Sequence, residues 1–265
     1  MEPFTFAQGR VPLLVSMPHP GTYIPESLAP DLTVEARGLP DTDWHVPRLY
    51  DFLDEIGASV LVATHSRYVI DLNRDPDGTP LYPGASNTEL CPTALFNDRP
   101  IYLPGKAPGP GAIAARRDSV WAPYHRQLHQ ELQRLRARFG VAMLLDAHSI
   151  RSEVPRFFDG RLPDLNLGTS DGAAAHPALA SQLLARCRQE SRYTSVLNGR
   201  FKGGYITRHY GRPGDGIHAV QLELSERIYM QEDAPYAFDE ALAAQLRPLL
   251  RSLSSMMAAW AAAAR

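Results

Sequence analysis

The chain has almost no cysteine: Cys91 and Cys187 are the only two in 265 residues, far apart and outside any C-x-x-C spacing. A disulfide framework is therefore not expected, and both read as ordinary thiols of a reducing compartment. An apolar run of the roughly 18 residues that a membrane helix needs is also missing, and the alanine-rich tail from Met256 to Ala264 is too short and too weakly hydrophobic to span a bilayer. MEPFTFAQGR has no basic segment leading into an apolar one, so no secretory signal is expected and the cytoplasm is the expected compartment. There is no excess of charge of one sign. A net charge of −2 gives no reason to expect nucleic acid or a membrane surface as a partner. Neither a Walker loop nor G-x-G-x-x-G occurs, which leaves nucleotide chemistry without support. Ser149 lacks a G-x-S-x-G elbow, which disfavours a Ser-His-Asp hydrolase. No internal repeat, heptad or low-complexity linker is visible.

What is present is an ordinary globular composition, 44% hydrophobic and 21% charged, on a chain long enough to bury a substantial core. Hydrophobic patterning places strands at 11–17, 59–64, 67–72, 141–147, 193–198 and 217–224, and helices at about 46–57, 111–139, 177–190 and 236–262. Pro47 suits a first helical turn, Gly57 a helix stop, and Gly140 a release into the strand at 141. Pro123 predicts a break near Trp121 within 111–139. The alternation argues for an α/β sheet with helices on both faces, in one domain spanning 1–265. Two long irregular stretches, 74–110 and 150–176, are expected to be lids or binding loops.

Polar side chains gather where apolar runs end. VPLLVSM runs into Pro18-His19-Pro20-Gly21, and VAMLL into Asp146-Ala147-His148-Ser149. Ligands of open α/β sheets bind outside the carboxyl ends of the strands, and two imidazoles there with carboxylates nearby suit a hydrolytic metal site. Asp41 and Asp43 are the acids best placed in sequence to join His19; a helix cap at Asp41, with both histidines bonding locally, is the competing explanation. Asn73-Arg74 offers an amide and a planar fork of donors, fit for a carboxylate or a developing oxyanion, against the alternative of a surface salt bridge. Glu223 lies among Val220, Leu222 and Leu224, where partial desolvation would raise its pKa toward that of a general base; an ion pair with an arginine is the alternative. Glu226 reads as structural. His125 and His129 have metal-compatible spacing, but HRQLHQELQRLRARF reads as a solvated helix face.

Together, PHPGTYIP, DTDWHVPRLY, THSRYVIDLNR, LLDAHS, PDLNLGT, GGYITRHYG and QLELSERIYM resemble the N-formylglutamate amidohydrolases, in order over about 11–230. The resemblance implies a three-layer mixed sheet with helices on both faces, similar to the zinc carboxypeptidases and the aspartoacylase group. It implies hydrolysis of N-formyl-L-glutamate to formate and L-glutamate, as in histidine degradation, with Zn²⁺ or a similar divalent ion. By that wider likeness, Asn73-Arg74, His148 and Glu223 correspond to the substrate-binding, metal-ligating and water-activating positions of the carboxypeptidase and aspartoacylase relatives. The carboxypeptidases take two ligands from H-x-x-E, but Thr22 stands three residues after His19. The acid must then come from elsewhere: Asp43, directly ahead of W-H-V-P-R-L-Y, with Asp41 as fallback. The implied ligands are His19, Asp43 and His148. Glu223 would be the base, and Arg67, Arg208 and Tyr205 are further candidates for contacts to a dianionic substrate. Another N-acyl amino acid or peptide as substrate, or a non-catalytic dicarboxylate binder, are the alternatives. The sequence does not speak to oligomeric state.

Overall fold

Among the residues described by the computed structural model, which are all but 82, 83, 85, 264 and 265, seven strands form one mixed sheet. They are β1 (Phe4–Ala7), β2 (Leu13–Met17), β3 (Ser59–Ala63), β4 (Ala142–Ile150), β5 (Leu165–Gly168), β6 (Ser195–Leu197) and β7 (Ile217–Ser225). Their spatial order is β1-β3-β2-β4-β7-β5-β6. Neighbours run parallel, except β1 against β3 and β5 against β7. The helices are α1 (Val34–Arg37), α2 (Val46–Leu49), α3 (Leu53–Ile56), α4 (Pro110–Arg116), α5 (Ala122–Phe139), α6 (Pro177–Gln189), α7 (Tyr205–Tyr210) and α8 (Glu240–Ala263). Among the described residues, no helix is long and apolar enough to cross a membrane.

The strand period of two sorts side chains into two cores. Leu13, Val15 and Met17 of β2, Met143 and Leu145 of β4, and Val220 and Leu222 of β7 pack with Leu179 and Leu183 of α6 and Leu246 to Leu253 of α8. Leu14, Leu61, Ala142, Leu144 and Ala219 pack on the other face with Leu128, Leu132 and Leu135 of α5. Helices thus cover both faces of the sheet, and the central strands β4 and β7 are buried along all nine residues of each. Each such leucine contributes roughly 1.5–3 kcal/mol by leaving water.

Several sequence expectations shift. Residues 67–72 are not a strand but a chain of turns: Val69 N–H donates to Ser66, Asp71 N–H to the Leu90 carbonyl, and Asn73 N–H to Asp71 Oδ1. Tyr68, Val69, Ile70 and Leu72 are buried in the α5-side core, and an apolar run alone does not tell a strand from a packed turn. Both edges of β3 are already taken, by β1 and β2. The helix expected at 46–57 is two single turns, α2 and α3. The last helix starts at Glu240, not 236, where Asp239 accepts from Leu242 N–H. The expected break near Trp121 is a π-helical turn, Arg117–Trp121, between α4 and α5. The loop expected at 150–176 contains β5, the strand that joins β6 to β7.

Candidate active site

Register brings the polar strand ends together. In the parallel β4–β7 ladder Asp146 lies opposite Gln221 and His148 opposite Glu223. Their apolar neighbours Met143, Leu145, Ala147, Val220, Leu222 and Leu224 all take the α6–α8 face. Alternation then puts these four polar side chains on the opposite face, at the carboxyl edge. His19 arrives as β2 ends. Gly21 lets that exit pack against the exit of β3, because an added Cβ would stand 2.3 Å from the His65 carbonyl oxygen. Asp43 is tied in through its N–H, which donates to the His19 carbonyl at 3.2 Å.

Ligand atoms of His19, Asp43 and His148 lie within 4.8 Å of one another, and all three residues are buried. Asp43 Oδ2 is 3.7 Å from His19 Nδ1 and 3.1 Å from His148 Nδ1. Each imidazole is backed on its other nitrogen by a buried carboxylate: His19 Nε2 by Asp71 at 2.8 Å, His148 Nε2 by Asp146 at 3.2 Å. With an ion bound, each Nε2 would donate its N–H to the carboxylate behind it, and the Nδ1 atoms, which face Asp43, would meet the metal. Two nitrogens, one carboxylate oxygen and an outer carboxylate behind each ring fit a zinc-type ion. Burial acts to raise the Asp43 carboxyl, but the His19 charge and hydrogen bonds from His148 and His19 outweigh it, leaving it below the usual range. Burial lowers His148, yet Asp146 and Asp43 carry its pKa well above that of an ordinary imidazole. At Asp71 burial is overcome by Arg74, His19 and Arg67, and the carboxyl is held well below the usual range.

The cleft over this group is lined by Arg67, Asn73, Arg74, Arg200, Gln221 and Glu223, with Phe96, Phe157 and Phe201 as apolar walls. Burial pushes the Glu223 carboxyl up to about 8. Gln221 Nε2 donates to Glu223 Oε2 at 3.2 Å, while Gln221 Oε1 accepts from Gly204 N–H at 2.7 Å. Arg67 Nη2 donates to Asp71 at 2.8 Å, and its Nη1 stands 3.7 Å from Asp43. Arg74 Nη2 donates to Thr88 Oγ1 at 2.7 Å. The Asn73 amide nitrogen is 3.0 Å from His148 Nε2 and 3.4 Å from Asp146, and its oxygen accepts from Ile206 N–H at 2.8 Å.

Other sequence candidates lie elsewhere. Arg208 and Tyr205 line a neighbouring shallow cleft with Asp75 and His209, because α7 turns them away from the histidines; Arg208 is exposed and donates to the Gly203 and Leu81 carbonyls. Asp41 is neither a helix cap nor close enough to join the three ligand atoms: its Oδ2 accepts from Tyr68 O–H at 2.8 Å and Phe96 N–H at 3.1 Å. Glu226 is buried outside the cleft lining, and burial carries its pKa well above the carboxylate range. Ser149 accepts from Tyr229 O–H, and its own N–H donates to Asp43. His125 is buried, not on a solvated face, whereas His129 is exposed. Sequence reasoning missed Asp71 and Asp146 as carboxylates behind the histidines, and Arg200, Phe157, Phe201 and Gln221 as cleft walls. Asp146 was legible in part, being two residues before His148 on one strand face; nothing local marked Arg200.

Comparison with known proteins fits this geometry. The family model for N-formylglutamate amidohydrolase matches residues 11–230. The N-formylglutamate deformylase of Pseudomonas aeruginosa is 55% identical over 259 residues, 98% of this chain and 97% of that protein. That of Pseudomonas putida is 51% identical over 258 residues, 97% and 96% of the two chains. The crystal structure of N-formylglutamate amidohydrolase from Ralstonia eutropha JMP134 superposes with a TM-score of 0.84 at 27% identity, covering all of both chains. A gene product of Agrobacterium tumefaciens shares the fold, with a TM-score of 0.75 at 17% identity over 98% and 96% of the two chains. By motif order, fold and near-complete overlap, the chain belongs to the N-formylglutamate amidohydrolase family.

Proposed function

We propose that the chain hydrolyses the formamide bond of N-formyl-L-glutamate, releasing formate and L-glutamate. One observation carries this reading: a buried carboxylate, Glu223, stands in register with His148 in a cleft that three arginines also line. His19 Nδ1, Asp43 and His148 Nδ1 would hold Zn²⁺ or a similar divalent ion, which supplies Lewis-acid polarisation of the formyl oxygen and makes water a better nucleophile. Glu223 takes the proton of the attacking water and passes it to the departing amine nitrogen. Arg67, anchored on Asp71, faces the charge that develops on the formyl oxygen. Arg74, with Asn73 beside it, holds one substrate carboxylate. Arg200, in the same lining beside Phe157 and Phe201, takes the second. A non-catalytic dicarboxylate binder would gain nothing from Glu223, a carboxyl that repels its ligand whenever it is ionised.

The deciding experiment measures formate release from N-formyl-L-glutamate beside other N-acyl glutamates and N-formyl amino acids without a side-chain carboxylate, with and without chelator. Fastest turnover of N-formyl-L-glutamate, lost with chelator and restored by added zinc, is the expected outcome. Faster turnover of another acyl group would move the assignment to that substrate. Turnover unaffected by chelator, with no metal found in the protein, would overturn the metal assignment.

A further inference from the structure

Arg74 and Asn73 stand on a turn rather than a strand end, so their direction depends on what fixes that turn. Three consecutive carbonyls of the turn are each held from outside it. Leu72 O accepts from His125 Nε2 at 2.8 Å, Asn73 O from Tyr205 N–H at 3.4 Å, and Arg74 O from Trp121 Nε1 at 3.1 Å. Trp121 closes the π-helical turn ahead of α5, and His125 follows one turn later. Their rings stack at 3.7 Å between centroids, so the two donors form one rigid unit. A π-turn inside a helix re-aims the side chains around it and recurs at functional sites.

The hydrogen-bonding pattern settles the His125 tautomer. A carbonyl only accepts, so Nε2 carries the proton, and Nδ1 lies 3.0 Å from the Tyr210 hydroxyl, which also donates to the His125 carbonyl at 3.2 Å. Burial drives the His125 pKa down to about 3, against the Leu72 bond, so the ring is neutral near pH 7. A neutral, buried, doubly bonded imidazole is a fixed strut. We propose that Trp121 and His125 are positioning residues that set the Leu72–Arg74 turn and so aim the Arg74 guanidinium into the cleft. This rests on the reading of Arg74 as a substrate contact. Plain core packing would need the two rings but neither N–H.

The test removes each N–H while keeping an aromatic ring. Trp121→Phe and His125→Phe are made in the natural chain and in an Arg74→Ala background. kcat and KM for formate release from N-formyl-L-glutamate are measured on zinc-loaded enzyme, with metal content and melting temperature for each. Each single variant is expected to lose about five- to tenfold in kcat/KM, the size of one lost hydrogen bond, with metal content unchanged. Adding either change to Arg74→Ala should cost nothing more, because the residue through which it acts is gone. Losses that multiply in the double variants, or singles that match the unaltered enzyme, overturn the positioning role. An Arg74→Ala enzyme with unaltered kcat/KM would instead sink the reading of Arg74 itself.

Discussion

Glu223 and Asp43 are both buried carboxylates, and their surroundings separate their tasks. Glu223 meets an uncharged donor, Gln221, and burial holds its pKa near 8, while Asp43 meets two imidazoles and stays ionised. A cation at the three ligand atoms would favour the charged form of Glu223 as well, readying it as a base. Glu223→Gln keeps the shape but cannot take a proton. Its kcat for formate release should fall by roughly 10²–10⁴-fold with metal content retained, and near-normal kcat would assign the base elsewhere. The two aspartates of PDTDW make a second prediction. Asp43→Ala removes a ligand atom, so zinc content should drop to a small fraction of that of the unaltered protein. Asp41→Ala leaves Tyr68 O–H and Phe96 N–H without their acceptor, which should cost about 1–3 kcal/mol of stability with zinc content kept. Metal analysis and melting curves showing the reverse order would make Asp41 the ligand.

At the level of elements, the site is an intersection of strand ends with one anchored turn. Gly204 caps the start of helix α7; its N–H is bound to Gln221 and its Cα faces Asn73. A Cβ there would lie 2.3 Å from Asn73 Nδ2, while the backbone, at φ −80°, would accept any residue. Gly204→Ala should therefore act through crowding alone. It should push the Asn73 amide off His148 and Asp146, destabilise by about 1–3 kcal/mol and lower kcat/KM. A melting temperature and turnover equal to those of the unaltered protein would show that Asn73 moves aside freely. The strand ends were legible because apolar runs followed by His or Glu are local patterns. The turn at 67–74 was not: Tyr68, Val69, Ile70 and Leu72 look like a strand in sequence, and only β1 beside β3 closes the edge they would have filled. α7 escaped notice because GGYITRHYG is too short to show a helical period, and with it went the reason that Arg208 points elsewhere.

The molecule as a whole joins α5, the turn of Leu72–Arg74 and α7 around one imidazole. Strands β2, β3, β4, β6 and β7 and the helices on both faces could be read from hydrophobic patterning, whereas β1 and β5 could not. The carboxylates behind the histidines could be read only in part, and Arg200 not at all, because they meet the site through contacts between segments far apart in the chain. The solvated face expected for α5 holds at His129 but fails at His125 for the same reason: His125 is polar in sequence, yet Leu72 and Tyr210 meet both of its nitrogens in the interior. That burial makes His125 a determinant of acid stability. Burial comes first among the causes of its low pKa, the Leu72 bond opposes it, and the charge of His209 adds to the lowering. In the unfolded chain it titrates near the ordinary value of 6.5, and in the fold only at about 3. Between those values the unfolded state holds the extra proton. The contribution of His125 is therefore fully present above about pH 6.5 and is lost as pH falls toward 3, with a limiting slope of about 1.4 kcal/mol per pH unit. His125→Phe removes that titration whatever it does to stability at neutral pH. Chemical denaturation of both proteins at intervals between pH 7 and pH 4 should show a shallower acid decline for the variant, by up to that slope. Parallel stability curves would mean that His125 already takes up its proton in the folded protein, with the bond to Leu72 intact.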